Sequence, residues 1–139
     1  MAALSRELTF DADAATVWAG VSAVATPHID LVPGFVTATE LDGDTRTVTF
    51  VNGSVARELV VDIDHDARRL AYAVVDSAIG LTHHHSTMQV EDRAGGARLV
   101  WTVDALPHTA ARRLEEMMTM AAATMVRHFS APAPTSVNP

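Results

Sequence analysis

The 139-residue chain contains no cysteine and no lysine. Without cysteine it has no disulfide, no thiolate nucleophile and no cysteine-ligated zinc site. Without lysine it has no side-chain amine for Schiff-base catalysis. All ten basic residues other than histidine are arginine, and acidic residues outnumber them to a formal net charge of −7. That balance opposes generic attraction to phosphate backbones or anionic membranes. The pairs Arg68-Arg69 and Arg112-Arg113 therefore read as solvated surface, and no nucleic-acid partner is expected. No apolar run reaches membrane-spanning length. The first residues, Met1 to Glu7, lack the basic-then-apolar pattern of a secretion signal. A cytoplasmic protein without membrane insertion is expected. Aromatic residues are few, but 48% of the chain is hydrophobic, enough for one domain with one core.

Leu4 to Phe10 alternates and reads as a first strand. Asp13 precedes Val17, Trp18, Val21 and Val24 at helical spacing, which predicts a capped helix over about 13–25. Thr26-Pro27 reads as a cap and first residue of a short helix that ends by Pro33-Gly34. Six strands follow: 35–41, 45–51, 55–63, 69–75, about 81–91, and 98–103. Turn signals at Asp42-Gly43-Asp44, Asn52-Gly53, Asp64-His65-Asp66 and Gly95-Gly96 separate them. Thr109 is placed to cap a long helix to about Phe129. Its stripe, Leu114, Met118, Ala121 and Met125, is widened by Met117 and Met120. Residues 1–130 form the expected domain, and 131–139 a disordered tail. Consecutive hairpins make an antiparallel sheet, and the long helix is its obvious cover.

Three consecutive histidines, His83, His84 and His85, fall within one of these strands. Successive side chains on a strand point to opposite faces. The even positions include Met88 and Val90 and form the more apolar set, so His84, Ser86 and Met88 are expected inside. His83 and His85 are then left facing water. One imidazole among apolar walls suits acid–base chemistry or anchoring of a ligand. His83 and His85 share a face about 7 Å apart, but a metal site needs three or four ligands and no third is evident. No metal and no cofactor are expected.

Tyr72 shares a face with Leu70 and Val74, and its phenol can donate to a carbonyl or stabilise an enolate. Trp101 depends on hairpin register. A two-residue turn at Ala94-Gly95 pairs it with Met88 and turns it inward, whereas a three-residue turn brings Val100, Thr102 and Asp104 inward instead. Glu58 is open in the same way. Leu59, Val61 and Ile63 are the more apolar set of their strand, which puts Glu58 outside, and a bulge would reverse the phase. Ser86 lacks the context of a nucleophile. Asp62, Asp64 and Asp66 lack the glycine and glutamate of a calcium loop and read as turn residues.

Several short motifs together resemble the START/SRPBCC superfamily, the helix-grip proteins, and most of all its bacterial polyketide cyclase/dehydrase-type members. They are Val17-Trp18, Pro33-Gly34, Arg57-Glu58-Leu59, Asp64 through Arg69-Leu70-Ala71-Tyr72, Leu99-Val100-Trp101-Thr102 and Leu106-Pro107. The resemblance implies an α+β fold in which a curved antiparallel sheet of about seven strands wraps a long C-terminal helix, with two short helices after the first strand. It also implies a cavity for a small hydrophobic or aromatic, polyketide-like molecule, with residues matching Glu58 and Tyr72 in its lining. On this reading His84, Glu58 and Tyr72 are the candidates for a cofactor-free cyclisation or dehydration. Ser86, Met88, Val74, Trp101, Met117, Met118, Ala121 and Met125 are the candidate ligand contacts. A non-catalytic carrier or sensor of a lipid or metabolite is the rival reading. A monomer or homodimer is expected, with a small hydrophobic ligand as partner.

Overall fold

The computed structural model describes residues 2–130, so the tail expected over 131–139 lies outside the described residues. Seven strands form one antiparallel sheet in the order β1-β7-β6-β5-β4-β3-β2. They are β1 Ala2–Phe10, β2 Val36–Asp42, β3 Thr45–Phe50, β4 Val55–Asp64, β5 Arg69–Asp76, β6 His83–Arg93 and β7 Gly96–Leu106. Two short helices, α1 Ala14–Ser22 and α2 Pro27–Asp30, follow β1, and the long helix α3 Ala111–Ser130 closes the described chain. This is the helix-grip arrangement expected from the sequence. None of the described helices is long and apolar enough to cross a membrane.

Local chemistry accounts for most boundaries. The Asp13 carboxylate accepts the Thr16 amide at 2.8 Å, satisfying one of the free donors at the start of α1. The helix stops at Ser22, short of the expected 25, where the chain turns toward α2. Thr26 does precede Pro27, but its hydroxyl donates to the Asp30 carboxylate and accepts no amide from the helix start. Thr109 does not cap α3. It sits inside a single 3-10 turn, His108–Ala110, that leads into the helix. The tight turn at Ala94-Gly95 requires a left-handed residue, which Gly95 supplies at φ +83°. Arg93 then pairs with Gly96, and the ladder runs unbroken to His83 opposite Leu106. Strand β7 is therefore longer at both ends than the apolar pattern alone implied.

Gly20 on α1 marks a crowded junction. A Cβ there would lie 2.5 Å from the Asp30 carbonyl oxygen and 2.7 Å from the Phe129 ring. The absent side chain thus lets α1, α2 and the end of α3 meet. The Phe129 ring also packs edge-on against Phe10, with centroids 5.3 Å apart. Helix α3 thereby lies close to β1 at one side of the sheet. Leu114, Met118, Ala121 and Met125, the predicted stripe, are all buried against the sheet's inner face.

Candidate functional site

Where the sheet curves away from α3, a cavity of about 350 Å³ remains between them. Tyr72, Val74, His84, Met88 and Trp101 contribute to its wall from the sheet. Met117, Met118, Ala121 and Met125 contribute from α3. The exposed Met120 also reaches it, together with Val51 and Val55 from the β3–β4 hairpin. The volume lies within the range of small-molecule pockets, and the lining is chiefly apolar.

A row of polar side chains crosses this apolar surface. Arg46 on β3 and Glu58 on β4 are directly opposed partners, 6% and 8% exposed. The Arg46 Nε donates to Glu58 Oε1 at 2.7 Å, and a second guanidinium nitrogen donates to the Val24 carbonyl at 3.3 Å. The guanidinium carbon lies 5.3 Å from the centre of the Tyr72 ring, a cation–π distance. The Tyr72 ring in turn lies 5.8 Å from the His84 ring. Strands β3, β4, β5 and β6 thus contribute one polar side chain each.

Glu58 faces the cavity because β4 changes phase. Ala56, Glu58 and Val60 turn inward, then the register against β5 shifts between Val60 and Asp62. After that bulge Ile63 turns inward. Leu59 and Val61, which simple alternation puts inside, are on the outer face, and Val61 is 51% exposed. The bulge left open by the sequence is the one that decides the site.

His84 is 7% exposed and is held by the backbone. Pairing between β5 and β6 runs from Arg69 opposite Gln89 to Tyr72 opposite Ser86 and then stops. The next inward residue on β5, Val74, donates its amide to His84 Nδ1 at 3.0 Å. The imidazole therefore takes the place of a strand at the point where the ladder ends. Burial pushes its pKa down from 6.5 to about 4, and the flanking His83 and His85 push in the same direction. Tyr72 moves the other way. Burial first, then the Glu58 carboxylate, raises its phenol to about 12, so it keeps its proton across the physiological range.

The remaining candidates are placed as follows. Trp101 is inside and opposite Met88, with Val90 opposite Leu99, as the two-residue turn requires. Ser86, a candidate ligand contact, does not reach the cavity. It is fully buried, and its hydroxyl is used within the sheet, accepting from Trp101 Nε1 at 2.9 Å and donating to the Thr102 carbonyl at 2.9 Å. Its role is to hold the indole. His83 is exposed and His85 half-buried, both on the outer face. Among the described residues no group of three or more His, Asp or Glu is placed to hold a metal ion. His65 accepts from Trp18 Nε1 at 3.1 Å. Asp64 closes its turn by accepting the Asp66 and Ala67 amides. Arg46 was not among the sequence candidates, although it alternates in phase with the apolar Val48.

The curved sheet, the gripped helix and the apolar chamber with its buried polar row define a START-type helix-grip protein of the SRPBCC superfamily. The chain belongs to the polyketide cyclase/dehydrase and lipid transport family, whose pattern it matches over residues 1–131. No curated protein sequence matches it. Among solved structures, a protein from Thermobifida fusca is 27% identical, with 93% of this chain and 91% of that one aligned at a TM-score of 0.76. A START superfamily protein from Mycobacterium smegmatis is 10% identical, over 91% of this chain and 96% of that one, at 0.75. Norcoclaurine synthase from Thalictrum flavum is 18% identical, over 91% and 84%, at 0.68. The last two, at their low identities, support the fold alone.

Proposed function

We propose that this protein binds a small hydrophobic or aromatic, polyketide-like molecule in the chamber between the sheet and α3. The observation that carries the reading is the chamber itself, about 350 Å³ of space with a chiefly apolar lining. A chain optimised only for stability fills its interior to crystal-like density. Apolar side chains that wall a volume of this size leave hydrophobic surface covered only by water, and a guest would remove that surface from water. The family's description, which names both cyclisation or dehydration and lipid transport, fits such a guest.

The geometry weighs against the general-base role considered for His84. Its Nδ1 lone pair is engaged by the Val74 amide, so the neutral ring carries its proton on Nε2. Neither nitrogen of that tautomer is free to accept another proton. One oxygen of Glu58, Oε1, is likewise tied to Arg46. A binding protein, a carrier or sensor, is the reading the site supports best.

The neutral fluorophore 6-propionyl-2-dimethylaminonaphthalene tests it. Binding at one site with blue-shifted emission is expected, together with loss of that site in Ala121→Trp, whose indole would occupy the chamber. No saturable binding, or unchanged binding in a folded Ala121→Trp variant, would overturn the proposal. Native mass spectrometry of the purified protein gives a second readout through any co-purified guest.

A further inference from the structure

We infer that His84 is a fixed hydrogen-bond donor, and that it selects guests carrying an uncharged oxygen acceptor, such as a ketone or aldehyde carbonyl, on an otherwise apolar body. The inference rests on the binding reading above and adds to it the chemistry of the guest's polar end.

The argument starts at the backbone. A peptide N–H is an obligatory donor, and that of Val74 points at His84 Nδ1 from 3.0 Å. An amide hydrogen meets a ring nitrogen only if that nitrogen is bare, so the proton of the neutral ring is assigned to Nε2. The ring cannot exchange tautomers without placing two hydrogens between the same pair of nitrogens. The end of the β5–β6 ladder just before this position makes the imidazole the acceptor that Val74 would otherwise lack on this side.

The other nitrogen faces the chamber. Among the described residues Nε2 has no protein partner, while the side chain is 7% exposed and lines the cavity. An apolar guest that covered this nitrogen without offering an acceptor would strand the donor away from water, at a cost of roughly tenfold in affinity, and a guest oxygen avoids that cost. The neighbouring groups narrow the choice. Tyr72 on β5 keeps its proton. Arg46 on β3 is already neutralised by Glu58 on β4. From α3, Arg113 and Glu116 bring one charge of each sign to the chamber's lining. The buried cation is matched by a carboxylate, and the α3 charges are exposed to solvent, where Glu116 pairs with Arg112, so the buried wall beside His84 offers little surplus positive charge to repay desolvation of an anion. An uncharged acceptor carries no such cost.

Three probes of similar shape separate the possibilities: 2-acetylnaphthalene, its hydrocarbon analogue 2-isopropenylnaphthalene, and 1-(2-naphthyl)ethylamine, a cation at neutral pH. Their affinities are read by calorimetry. The ketone is expected to bind about tenfold more tightly than the hydrocarbon, the ratio one unshared buried hydrogen bond gives. In His84→Phe the two should become equal through weakening of the ketone alone. Equal affinities in the wild type would overturn the donor role and leave the binding chamber standing, whereas no binding by any probe would remove both. If the amine binds most tightly, Glu58 sets the selection and the inference fails. A readout on the unaltered protein guards against a variant that does not fold. Long-range nitrogen–proton correlation spectra of His84 should show Nδ1 bare and Nε2 protonated at neutral pH, and the reverse assignment would sink the proposal.

Discussion

Arg46 and Glu58, twelve residues apart, form a buried ion pair with a 2.7 Å contact between directly opposed positions of β3 and β4. Removing one member of such a pair strands the other charge away from water. Glu58→Ala is expected to cost about 3–5 kcal/mol in urea-induced unfolding. The double variant Arg46→Met/Glu58→Leu should recover most of that loss. Equal destabilisation by the single and double variants would show that the pair itself supplies the stability.

Stability should fall with acid in a window set by His84. Its folded value near 4 lies below the ordinary 6.5, so between those values the unfolded chain binds the extra proton. The neutral ring's contribution is fully present above about pH 6.5 and is lost as the pH drops toward 4. The gap corresponds to about 3 kcal/mol as an order of magnitude. Thermal unfolding of the wild type and His84→Gln from pH 4 to 7 checks this. The variant should lack most of the slope.

Ser86→Ala should separate support from contact. It leaves the Trp101 indole N–H without its acceptor, at a cost of about 1–3 kcal/mol. Affinity for the fluorophore should change by less than about twofold, because Ser86 does not touch the chamber. A large loss of affinity with unaltered stability would place Ser86 in the lining after all.

Gly20→Ala tests the helix junction. In an exposed helix this change gains up to about 1 kcal/mol. Here the new methyl group meets the Asp30 carbonyl and the Phe129 ring, and overpacking should produce a net loss of about 1–3 kcal/mol. A rise in melting temperature would show that the junction yields at little cost.

The sequence disclosed the architecture because most strands alternate and the turns between them carry glycine, asparagine or aspartate. The phase expected for His84 follows from one apolar set, whereas that of Trp101 waits on the length of one hairpin turn, which the sequence leaves open and the register of β6 against β7 decides. Glu58 was undecidable for a physical reason. A bulge is a property of the strand pair, and β4 alone carries more apolar bulk on the phase that the structure turns outward. Arg46 showed its signal in plain alternation with Val48, yet a buried guanidinium is credible only once its partner on the next strand is known. The depth of Ser86 was hidden as well, since periodicity assigns a face and not a distance from the chamber. The Val74 contact to His84 arises where two strands cease to pair, which no local pattern encodes.

That contact has a consequence for solvent exchange. In the interior of a sheet an amide is shielded by its neighbour's carbonyl and opens only with the strand. The Val74 amide is guarded instead by an aromatic nitrogen, which loses its lone pair once it takes up a proton. Deuterium uptake at that one peptide group should therefore follow the charge on a side chain, making it a native reporter of the ring that overlooks the chamber.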